Sequence, residues 1–104
     1  MKWQVYIILC TDNSLYTGIT SDIARRLQQH ATARGAKYFR GRKPQQLVYL
    51  ENAHSRSTAS KREAAIKKLT RVQKEALLAS GQNKLDGATA LQKYQQGIKK
   101  DNIV

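Results

Sequence analysis

The apolar stretch Val5-Tyr6-Ile7-Ile8-Leu9-Cys10 does most to limit how this chain can fold. It is six residues long, against the roughly twenty needed to cross a bilayer, so membrane insertion is not expected. With Trp3 and Gln4 before it, the segment is rich in β-branched and aromatic side chains, and it stops at four turn formers, Thr11-Asp12-Asn13-Ser14. The pattern predicts a strand over 3–10 followed by a turn. Ser14-Leu15-Tyr16-Thr17 resumes a short β-like run that stops at Gly18, so residues 3–17 read as a hairpin. Gly18 marks a backbone requirement, either positive φ or the close approach of another group.

Beyond Ser21 the period changes. Ile23, Leu27 and Ala31 recur at four-residue steps, and Thr20, Ser21 or Asp22 is available as the N-cap, which predicts a helix to about Gly35. Residues 34–43 hold five basic residues, two glycines and an aromatic pair without periodicity, a basic loop closed by Pro44. Gln46 to Glu51 is nearly all apolar and is expected to be a third, central strand. Ser57-Thr58 opens a second long helix, with Ala59, Glu63, Ile66, Leu69, Gln73, Ala76 and Leu77 near one face, ending at Ser80-Gly81. These elements make an α+β (α/β) fold, a small three-stranded, mostly antiparallel sheet flanked by helices. Residues 1–80 are expected to be the domain and residues 81–104 a polar tail, a short helix or mobile.

With 104 residues the chain holds one core. Nineteen Lys and Arg against seven Asp and Glu leave a net charge of +12, so the expected partner is a polyanion, nucleic acid first. The first residues do not fit a signal peptide, since the apolar stretch is short and no small-residue cleavage site follows it. The single cysteine, Cys10, has no internal disulfide partner and reads as a buried small hydrophobe in a reducing compartment, hence a cytoplasmic protein. Two histidines and one cysteine exclude the common structural zinc sites, and no Walker loop, dinucleotide fingerprint or Gly-x-Ser-x-Gly elbow occurs.

What remains is a set at suggestive spacing: Tyr6 in the first strand, Tyr16 and Gly18 in the second, Arg26 eight residues after Gly18, His30 four further on, and Glu63 on the later helix. This set resembles the GIY-YIG nuclease superfamily, in its small single-domain bacterial branch. The first name tripeptide stands here as Gln4-Val5-Tyr6, with Gln in place of Gly, and the second as Tyr16-Thr17-Gly18. The likeness covers residues 3 to about 80 and implies the GIY-YIG endonuclease fold and phosphodiester hydrolysis.

Cleaving a phosphodiester needs a base for the attacking water, positive charge at the phosphoryl oxygens and neutralisation of the leaving oxygen. Arg26 suits the second requirement. Glu63 suits one Mg²⁺ or Mn²⁺ ion, bound through a carboxylate, waters and substrate phosphate. The resemblance implies Tyr16 as base, with Tyr6 or His30 orienting water or phosphate. Ser60-x-x-Glu63 also fits a capping box, in which the carboxylate only satisfies a helix amide. Arg25, Arg34, Lys37, Arg40, Arg42, Lys43 and Lys67 are the expected phosphate contacts, with Tyr38 and Phe39 placed to stack on bases. The expected substrate is DNA, cut with low sequence preference, in repair or processing of damaged or branched molecules. Glu75 and Leu78 stand where the superfamily often has an Asn, so a DNA- or RNA-binding module that does not cut is the alternative.

Overall fold

The computed structural model describes residues 2–31 and 44–85. Three strands, β1 (Trp3–Cys10), β2 (Leu15–Thr20) and β3 (Pro44–His54), form one sheet in the order β2-β1-β3, both pairs antiparallel. Helix α1 (Ile23–Ala31) follows β2, and α2 (Arg56–Lys67) and α3 (Arg71–Leu78) follow β3. The turn after β1 is closed by Asn13 N–H on the Cys10 carbonyl and Cys10 N–H on the Ser14 carbonyl, both at 2.9 Å, with Asn13 at a φ of 69°. Asn tolerates that left-handed conformation better than most residues.

Four expectations change. β2 does not stop at Gly18 but pairs on to Thr20, opposite Gln4. The central strand is β1, not β3. All six side chains from Val5 to Cys10 are buried, because β1 faces helices on both sides. β3 is an edge strand, longer than 46–51, and its apolar run is interrupted in register. Ile7 pairs with Tyr49 but Ile8 with Leu47, which leaves Val48 as an extra residue, and a second shift near Ala53 accompanies a φ of 64° there. The outer backbone of β3 is occupied by the chain beyond α3. The Asn83 side chain donates to the Val48 and Leu78 carbonyls and accepts from Leu50 N–H, while Lys84 N–H reaches the Leu50 carbonyl at 2.8 Å.

The single long helix expected over 57–80 is two. Ser55 caps α2 in a reciprocal box with Thr58, and Thr70 caps α3 in a second box with Gln73. Each hydroxyl accepts an otherwise orphaned N-terminal amide, and the two caps outweigh the apolar alignment that runs through both helices. The Ser60-Glu63 box therefore does not form, and Glu63 is left for other work.

Two apolar layers result. Val5, Ile7 and Leu9 pack with Val48, Tyr49, Ala59, Ile66 and Leu78, on the side of α2 and α3. Tyr6, Ile8 and Cys10 pack with Tyr16, Leu47 and Leu50 and with Ile23 and Leu27 of α1. Cys10 is buried and not in a disulfide, as expected. The basic loop at 34–43, the end of the first helix past Ala31 and the tail from 86 lie outside the described residues.

Candidate active site

The register of β1 and β2 sets Tyr6 opposite Gly18 and Ile8 opposite Tyr16, so both tyrosines project from the face that α1 covers. Their ring centroids are 6.2 Å apart, inclined at 48°. Gly18 is required by close approach. A Cβ built there would stand 2.5 Å from the Tyr6 hydroxyl oxygen and 2.6 Å from Cζ, well inside an ordinary contact of about 3.5–4.0 Å. Tyr6 is 1% exposed. Burial raises its pKa well above the usual phenol range. Tyr16 and Glu63 push the same way, as does its hydrogen bond with Tyr16, and the Arg26 charge only partly opposes them. Tyr6 is thus held as a neutral hydroxyl.

Arg26 enters from the first turn of α1. Asp22 caps that helix, accepting Arg25 N–H on its side chain at 3.1 Å and Arg26 N–H on its carbonyl at 3.0 Å. The Arg26 side chain is half-buried, and its Nε is shielded from solvent and has no hydrogen-bond partner among the described residues. A guanidinium N–H left so is costly unless an anion completes it. Glu63 sits half-buried on α2 between Ala59 and Ile66, with one carboxylate oxygen 3.2 Å from Lys67 Nζ. Arg26 and Glu63 both act electrostatically on the Tyr6 hydroxyl, from opposite signs. The structure thus brings Tyr6, Tyr16, Gly18, Arg26 and Glu63 to one place from four elements. The backbone of α1 carries His30 one turn beyond Arg26. Arg25 and Lys67 are exposed, and Arg34, Lys37, Tyr38, Phe39, Arg40, Arg42 and Lys43 lie outside the described residues.

Among the described residues no three His, Cys, Asp or Glu side chains gather as a metal cage. A divalent ion at Glu63 would therefore be completed by water and substrate phosphate, the usual manner of Mg²⁺, and one half-buried carboxylate fits that role.

Three polar side chains matter here that sequence reasoning passed over. Gln4 accepts Ile23 N–H, the first amide of α1, at 3.0 Å and donates to Asn52 Oδ1 at 2.7 Å. Glu51, buried on β3, accepts from the Tyr49 hydroxyl, from Arg62 Nε at 2.8 Å, and pairs with His54 Nε2 at 2.9 Å. Burial works to raise its pKa, but the bonds from Tyr49, His54 and Arg62 outweigh that and hold it below the usual carboxylate range. Asn83 closes the sheet edge. Only Glu51 carried a signal, an acid inside an apolar strand.

A small α+β domain with a paired-tyrosine sheet face, an arginine from the next helix and a glutamate from a later one is built like a nuclease domain. The GIY-YIG catalytic domain matches residues 2–76, and the chain belongs to the GIY-YIG family. It is 51% identical over 81 residues to a UPF0213 protein of Desulfotalea psychrophila, covering 77% of this chain and 74% of that one. A UPF0213 protein of Haloquadratum walsbyi is 51% identical over 77 residues, covering 74% of this chain and 86% of its own. The solution NMR structure of a UPF0213 protein from Bacillus halodurans superposes with a TM-score of 0.53 at 41% identity, covering 88% of this chain and 97% of that one.

Proposed function

We propose that this chain is a divalent-metal-dependent endonuclease that hydrolyses DNA phosphodiesters with little sequence preference, in repair or processing of damaged or branched DNA. The observation that carries this reading is the Arg26 Nε, buried without a partner beside the Tyr6–Tyr16 pair. An oxyanion is the natural complement to such a donor.

Arg26 binds a non-bridging phosphoryl oxygen and stabilises the charge that builds up there as water attacks. Tyr16, the less buried phenol, takes the proton from that water. Tyr6 stays protonated, and its hydroxyl holds the Tyr16 oxygen in place. His30 orients the water or the phosphate. A bound Mg²⁺ or Mn²⁺ ion at Glu63 supplies the positive charge that the leaving oxygen needs. Arg25, Lys67 and the cations of residues 34–43 grip the phosphate backbone, with Tyr38 and Phe39 stacking on bases. A buried Cys10 outside any disulfide suits the reducing cytoplasm.

The test is nicking of supercoiled DNA with Mg²⁺ by the wild type, Arg26→Ala and Glu63→Ala. Each variant is expected to lose on the order of 10²–10³ in rate, with DNA binding retained. Equal cutting by all three refutes the assignment. Binding by all three without cutting makes the protein a nucleic-acid-binding module instead.

A further inference from the structure

Gln4 occupies the position where the family's first tripeptide has glycine, and its side chain is fully engaged. Both ends of its amide are used. Oε1 receives the first amide of α1 and Nε2 is tied to Asn52 near the end of β3, so the side chain spans β1, β3 and the start of α1. The first amides of a helix have no intrahelical acceptor, so what receives them fixes how the helix enters. Thr20 Oγ1 takes Asp22 N–H at 3.1 Å and Asp22 takes Arg25 N–H, while Ile23 N–H, between them, goes to Gln4. Arg26 closes that same turn on the Asp22 carbonyl. Among the described residues its own Nε has no partner, so no bond from them at Nε holds the guanidinium. Its place follows from where α1 sits.

We propose that Gln4 is a positioning residue for Arg26, clamping the first turn of α1 to the sheet so that the unpartnered guanidinium Nε stays aligned for phosphate. This rests on Arg26 as the phosphate ligand, and it assigns the glycine-to-glutamine departure a task in the reaction. A misplacement of about 1 Å at a group that meets the transition state costs on the order of a hundredfold in rate, and a loosened helix start averages over smaller displacements.

Three variants separate the elements of the clamp. Gln4→Met keeps the length and loses both bonds, Gln4→Glu keeps an acceptor for Ile23 N–H, and Asn52→Ala, at an exposed position, removes only the tether. In the free protein, NMR should find faster amide exchange at Ile23 and a lower order parameter at Arg26 Nε–H in Gln4→Met, and a smaller change in Asn52→Ala and in Gln4→Glu, which both keep the Ile23 bond and lose the tether. In the nicking assay, kcat of Gln4→Met should fall on the order of tenfold with KM for DNA unchanged, and Gln4→Glu should restore most of it. An Arg26 Nε–H as ordered in Gln4→Met as in wild type overturns the proposal, and so does a Gln4→Glu variant as impaired as Gln4→Met. If the wild type does not nick DNA, the free-protein measurements decide alone. A loss of order in Gln4→Met then supports the clamp while the nuclease assignment fails.

Discussion

Replacing Gly18 by alanine puts a methyl group where the Tyr6 ring already lies, 2.5 Å from Oη, 2.6 Å from Cζ and 3.1 Å from Cε2. To regain an ordinary carbon contact of about 3.5 Å or more, the ring must retreat by roughly 1 Å. It has little room, because Tyr6 is packed against Tyr16, Ile8 and the α1 residues Ile23 and Leu27. Forcing a well-packed core to take one extra methyl costs about 1–3 kcal/mol. Against this stands a gain of roughly 0.5–1 kcal/mol from removing a glycine inside a strand. The net expectation is about 1–2 kcal/mol of lost stability, near 4–15 °C in Tm for a domain of this size. Urea denaturation of Gly18→Ala, Tyr6→Leu and the double variant measures it directly. In the Tyr6→Leu background the ring is gone, so Gly18→Ala should become neutral or stabilising, a coupling of about 2 kcal/mol between the two positions. Tyr6→Phe should relieve little, since Cζ remains. A Gly18→Ala protein as stable as wild type, or one equally destabilised with and without the ring, refutes the close-approach account.

Thr17 is 3% exposed and its hydroxyl oxygen has no hydrogen-bond partner among the described residues. Thr17→Val keeps the β-branched shape and removes the orphan, so it should raise stability by about 1 kcal/mol in urea denaturation, and a loss of stability would show that the hydroxyl is satisfied in solution. Three buried groups set the pH limits. Glu51 has a lowered pKa in the fold, so its contribution is present above the unfolded value of ~4.3 and is lost as pH falls. Tyr6 and Tyr49 have raised pKa values, so theirs is present below ~10 and is lost as pH rises. Glu51→Gln should accordingly be less stable than wild type at pH 7 and converge with it in acid. Ultraviolet titration should leave at least two of the five tyrosines un-ionised until the alkaline transition. A stability gap that is constant with pH, or ionisation of all five tyrosines in a folded protein, contradicts these assignments.

The sheet, the hairpin and the first helix were legible because each rests on local chemistry: β-branched residues over 3–10, turn formers at 11–14, a four-residue apolar step from Ile23. The set of Tyr6, Tyr16, Arg26 and Glu63 was picked out by its likeness to the GIY-YIG pattern rather than by local chemistry. Misreadings came where a local signal met a non-local one. The apolar run of β3 suggested a central strand, yet its register shifts and the Asn83 amide, 35 residues from Val48 in sequence, let it serve at the edge. One apolar stripe suggested one long helix, whereas the reciprocal cap of Thr70 and Gln73, partway along it, divides it. Glu51 showed only as an acid inside an apolar strand, and the bonds of Gln4 gave no sign, because a polar side chain in a strand reads as surface until its partners arrive from elsewhere in the chain.

The amide of Asn83 also determines where this protein can be shortened. Its side chain stands in for a fourth strand, and with Lys84 it occupies backbone groups of Val48 and Leu50 that would otherwise face outward. A chain ending at Ser80 would keep every helix and strand among the described residues and lose that cover, together with the Gln82 acceptor of Arg62. What it would gain is an adhesive edge, a row of open carbonyls and amides on an apolar strand, ready to recruit the same strand from another molecule. The few residues after α3 therefore act less as a tail than as the part that keeps one copy from pairing with the next.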